Sequence, residues 1–122
     1  MHSIICKSRV CDLTFYKSGR IDISASASKL LGLTGGEVID VLCDSEDRFF
    51  LYVKVRNPNG KYKATVYRSN KHGCCFRTNC KAMTTIIINA CGATDVARLA
   101  VASPIINEHY GTLLPLITRL LL

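Results

Sequence analysis

Apolar and polar positions alternate with a period of two through GRIDI at 19–23, the pattern of a half-buried strand. The pattern then changes. Ser24 stands where a helix N-cap is preferred, ASASKLL follows as a short helical run, and Gly32 sits where a helix commonly ends. TGG at 34–36 turns the chain back into VIDV, so Tyr16 to Val41 reads as strand, short helix, strand. Upstream, SIICKSRV and DLTFY are strand candidates close enough to form one bent or bulged strand. Downstream, VIDVLCD meets RFFLYVKVR across SEDR as a hairpin. In its second strand Phe49, Leu51, Val53 and Val55 form the face expected to be buried, opposite Phe50, Tyr52, Lys54 and Arg56.

NPNG at 57–60 is the strongest turn signal, with Pro second and Gly fourth. It divides the chain into an N-terminal unit, 1–57, and a β-rich C-terminal unit, 61–122. In the second unit KYKATVYRS and CCFRT read as strands. A helix is expected near 79–91, with Asn79 as N-cap, Gly92 beyond its end, and Ala82, Met83, Ile86, Ile87 and Ala90 on one face. The β-branched run TTIII opposes helix, and the two caps decide in its favour. VARLAVAS and TLLPLITRLL are further strands joined by PIINEHYG, and Pro115 marks the last as an edge or a bulge. The fold class is therefore α+β, mostly antiparallel.

Composition adds charge and compartment. The 122 residues carry a formal net charge of +7, placed unevenly: no acidic residue lies between Asp47 and Asp95, a stretch holding Arg48, Lys54, Arg56, Lys61, Lys63, Arg68, Lys71, Arg77 and Lys81. Clustered cations favour a polyanionic partner, although a solvated basic face has the same composition. Seven cysteines at irregular spacing fit a reducing compartment better than a disulfide framework. The apolar stretch near Met1 is broken by Lys7, Arg9 and Asp12, and LLPLITRLLL is too short for a membrane span, so a cytoplasmic protein without a membrane partner is expected.

Ser18-Gly19-Arg20-Ile21-Asp22-Ile23, a short helix, then Leu31-Gly32-Leu33-Thr34-Gly35-Gly36-Glu37-Val38 resembles the swapped-hairpin DNA-binding domain of AbrB and SpoVT transition-state regulators. The likeness covers roughly residues 10 to 56. It implies a barrel in which two chains interleave their hairpins, hence a homodimer, and non-enzymatic contact with duplex DNA in transcription regulation. Carried over position by position, Arg20 matches the family's Gly-Arg and Lys29 a basic position before Leu-Gly, while Lys17 lies beside the same turn. Ser28 stands where the family has a second basic helix position, and Ser24-Ala25 replaces its usual proline, so ASASKLL brings one charge to the phosphate contact.

Other chemistry is sparsely represented. His72, Cys74, Cys75 and Cys80 are the one cluster with metal-ligand residue types, but adjacent Cys74 and Cys75 point to opposite faces of a strand. No nucleophile, phosphate-loop or dinucleotide motif is present, so neither an enzyme nor a cofactor is expected. Two alternatives to duplex binding stand beside it. Tyr62, Tyr67 and Phe76 among Lys61, Lys63, Arg68 and Arg77 suit single-stranded nucleic acid, although alternation assigns Tyr62 to the core. A folded protein-interaction module with an incidental basic face is the other.

Overall fold

The computed structural model describes residues 11–70 and 74–119. SIICKSRV and His72 lie outside the described residues. Among the described residues, nine strands and two helices follow one another: β1 (Leu13–Tyr16), β2 (Arg20–Ser24), α1 (Ala25–Leu31), β3 (Val38–Cys43), β4 (Phe49–Val55), β5 (Tyr67–Arg68), β6 (Cys74–Asn79), α2 (Lys81–Ala90), β7 (Val96–Val101), β8 (Ile105–Asn107) and β9 (Gly111–Ile117). All strand pairings are antiparallel. The class is α+β.

Sheet order is β3-β4-β9-β7-β1-β2-β6-β5, with β8 added on β9. Pairs from the two halves of the chain alternate along this path. The sheet curls into a half-barrel, and its two ends are tied where Val38 bridges Thr65: Val66 N–H donates to Glu37 O at 2.8 Å and Ile39 N–H to Ala64 O at 3.1 Å. One core fills the interior, drawing Leu13, Phe15, Ile21 and Ile23 from the first half and Phe76, Ile87, Leu99 and Leu114 from the second. Burial of this shared apolar area is the main source of stability, because neither half holds enough of it alone.

Local chemistry explains both helices. Ser24 Oγ accepts from Ala27 N–H at 3.1 Å, and Gly32 closes α1 in the left-handed conformation at φ 67°. Arg56 then donates to Gly32 O and Leu31 O, covering carbonyls left open at the helix end. At α2 the N-cap is Cys80 rather than Asn79, with no side-chain cap bond, because Asn79 still belongs to β6. The buried face is Met83, Thr84, Ile87 and Ile88, and Ile86 is 55% exposed. The TTIII run therefore sits on a helix rotated by one position from the face expected, which buries three of its β-branched side chains, Thr84, Ile87 and Ile88.

Three strand expectations change. KYKATVYRS supplies only two ladder residues, because Ala64 adopts φ 61° and breaks the extension. Tyr62 is exposed, and Ala64 and Val66 fill the buried positions. PIINEHYG contains β8, and β9 is a central strand, paired with β4 on one side and with β8 and β7 on the other. Pro115 is tolerated because its carbonyl faces the β7 side, accepting from Ala102 N–H, at the point where β9 changes partner from β8 to β7. The missing N–H lies on that same edge, in the gap between ladders.

Candidate nucleic-acid interface

The site begins with the β1–β2 hairpin. Leu13, Phe15, Ile21 and Ile23 point into the core, so Thr14, Tyr16, Arg20 and Asp22 stand on the outer face. Gly19, at φ 109°, makes the turn: its N–H donates to Tyr16 O at 2.9 Å, and its carbonyl accepts from Cys80 N–H at 2.8 Å. An added Cβ would lie 3.2 Å from the Lys81 nitrogen, so the positive φ calls for glycine and the close contact adds to that preference.

Register then assembles residues that are far apart in sequence. Arg98 on β7 pairs with Thr14, Thr14 with Asp22, Asp22 with Arg77 on β6, and Arg77 with Tyr67 on β5. These five residues form one transverse row across five strands. The outer arginines are three strand spacings apart, about 14 Å between backbones. Arg20 stands one outward position along β2 from Asp22. Together with Tyr16, Thr14 and Asp22, the three arginines line an outward groove of about 750 Å³.

Within the groove the charges are unequally satisfied. Arg77 Nε donates to Asp22 Oδ1 at 2.7 Å and its Nη2 reaches Oδ2 at 3.5 Å; this bond pushes the Arg77 guanidinium up from its ordinary pKa. The Arg20 guanidinium stands over Tyr16, its carbon 3.9 Å from the ring centroid. Its Nε is 3.5 Å from Asp22 Oδ1 but is buried with no hydrogen-bond partner among the described residues. Asp12, at the groove margin, is occupied structurally: it accepts from Ser24 Oγ at 3.4 Å and Val101 N–H at 3.1 Å.

Of the residues expected from sequence, Lys17 is exposed on the β1–β2 turn, where its N–H donates to Asp95 O, and Arg20 lines the groove. Lys29 is exposed on α1, beyond the far end of β2, and four strand steps, roughly 13 Å, separate Arg20 from Ser24, the N-cap of that helix. Lys17 and Arg20 thus share one end of the hairpin, and Lys29 stands apart. Tyr67 is exposed on the same outer face as Arg77, whereas Phe76 is buried.

The acid-free middle of the sequence is not acid-free in space. Arg48 pairs with Asp44 at 2.7 Å, Lys54 with Asp40 at 3.8 Å, Arg77 with Asp22, and Arg56 is spent on the α1 terminus. Glu37 is buried beside that terminus. Burial alone would raise its pKa, but bonds from the Thr34 hydroxyl and the Thr34 and Gly35 N–H groups outweigh it and hold the carboxyl below its ordinary range. Among the described residues no group of three or more His, Cys, Asp or Glu side chains is placed to hold a metal ion. None of their helices is long and apolar enough to cross a membrane.

Neither Arg98 nor Asp22 is expected as a site residue from the sequence; Asp22 falls within the SGRIDI motif and Arg98 within no motif, and only register connects them. No protein-family model, curated protein or solved structure matches this chain.

Proposed function

We propose that this chain is a non-enzymatic nucleic-acid-binding protein that holds phosphates and bases against the outer face of β7, β1, β2 and β6. The observation that carries the reading is the Arg98–Thr14–Asp22–Arg77 row, with Arg20 beside it, lining one groove. Two of these cations, Arg20 on β2 and Arg98 on β7, flank β1 on the outer face, where summed phosphate attraction is effective. The regulatory contact with duplex DNA implied by the resemblance would use Lys17 and Arg20 at the turn.

A single-stranded ligand is the second reading, favoured by Tyr16 and Tyr67 on the same face as the arginines, since bases stack on aromatic rings and guanidinium planes. The test is a backbone amide NMR titration with a short DNA, single-stranded and then duplex. Shifts concentrated on Thr14, Tyr16, Arg20, Arg77 and Arg98 support the proposal. Shifts elsewhere, or none at low salt, contradict it and favour a protein-interaction module.

A further inference from the structure

We infer that the groove reads the edge of an unpaired base, with Asp22 as acceptor and the Tyr16–Arg20 stack as platform, and so prefers single-stranded segments whose bases present an exocyclic amino group. This rests on the nucleic-acid reading above and extends it to specificity.

The reasoning starts from Asp22. A carboxylate in the middle of a phosphate-binding surface opposes a backbone laid directly over it, so its presence needs a role. Arg77 supplies only part of one. An ionised carboxylate has about four acceptor positions. Oδ1 takes the short 2.7 Å bond from Arg77, with Arg20 Nε 3.5 Å away, while Oδ2 receives only the long 3.5 Å contact. The Asp22 side chain keeps 17% of its surface exposed and lines the groove. Oδ2 is therefore the acceptor with capacity left, and an amino group of cytosine, adenine or guanine is the base-edge donor that suits it. Thymine presents two carbonyls around one N–H and meets the carboxylate with repulsion.

The platform is equally specific in form. The Arg20 guanidinium carbon stands 3.9 Å from the Tyr16 ring centroid, a cation–π contact that holds the group over that ring. Arg20 is 40% exposed and lines the groove, so its other face is available for a base to stack on. Arg98, across Thr14 from Asp22, is placed for the phosphate that follows. A base within an intact duplex presents neither a free ring face nor its pairing edge. Stacking on Arg20 and pairing with Asp22 together select the unpaired state.

The experiment compares fluorescence anisotropy of labelled oligo-dC and oligo-dT of one length at pH 7.5, so that phosphate count is constant, with a blunt duplex as third probe. Wild type should bind oligo-dC about ten-fold or more tighter than oligo-dT, in line with one base-edge contact, and tighter than the duplex. Asp22→Asn retains an acceptor for Arg77 and should bring the dC/dT ratio near one. Equal wild-type affinity for the two oligomers, tighter duplex binding, or an unchanged ratio in Asp22→Asn would overturn the inference. Since the wild-type ratio needs no variant, a poorly folded Asp22→Asn leaves the test intact. Binding without base preference removes this inference alone, whereas no binding to any probe at low salt removes the nucleic-acid reading beneath it.

Discussion

Arg77 and Asp22 face one another across the β2–β6 junction, Nε to Oδ1 at 2.7 Å, although 55 residues separate them. Only 15% and 17% of the two side chains is exposed, so the pair is shielded enough to matter for stability as well as for the groove. It ties the N-terminal hairpin to the C-terminal strands.

Truncating one member leaves the other charge half-buried and short of a partner. Arg77→Ala is expected to cost about 1–3 kcal/mol in urea unfolding. The double variant with Asp22→Ala should cost less than the sum of the two single ones, and strict additivity would show that the pair carries no coupling.

Glu37 makes stability depend on acid. Its folded pKa lies below the unfolded one, so its contribution is fully present above the ordinary glutamate range and is lost as pH falls through the folded value. Glu37→Ala should cost about 1–3 kcal/mol at pH 7, because the Thr34 and Gly35 N–H groups lose their acceptor. The variant should also show a shallower decline in unfolding free energy toward acid. A decline as steep as wild type would assign the acid sensitivity to other groups.

Gly19 should be the least replaceable turn residue. Its φ of 109° and the 3.2 Å approach to the Lys81 nitrogen together predict a loss of about 1–3 kcal/mol for Gly19→Ala. Gly60 has φ 129° but open space around it, and Gly60→Ala should cost less. A melting-temperature comparison of the two orders them.

How far the sequence reveals this fold follows from the range of each interaction. The β1–β2 hairpin, the capped α1 and the β3–β4 hairpin are all written in neighbouring residues: alternation, Ser24, Gly32 and the SEDR turn. The Asn79 cap and the α2 face are off by one position because β6 runs directly into the helix, which sequence spacing does not record. Pro115 at the centre of a sheet is legible only once the change of partner from β8 to β7 is known. The site was least visible of all. Arg20 stands in a local motif, but Arg77, Arg98 and Asp22 meet through register between distant strands, and several cations of the basic stretch are spent on carboxylates and a helix end elsewhere in the chain.

The same interleaving bears on assembly. Strand pairs from both halves alternate in the sheet and its ends are tied through Val38 and Thr65, so both halves of one chain supply the described core. Sedimentation equilibrium at micromolar concentration should give the mass of one chain. A dimer that dissociates only on unfolding would show that closure needs a partner.

The central claim is that Arg98 and Arg20 hold phosphates on the outer face of the sheet, and the salt dependence of binding tests it most directly. Affinity for a short single strand, measured by anisotropy from about 50 to 200 mM salt, should fall linearly on logarithmic axes. The slope should become shallower by about 0.7 for each of Arg98→Ala and Arg20→Ala, the contribution of one phosphate contact on a single strand. A slope near zero in wild type, or one unchanged by both substitutions in folded protein, would contradict the account.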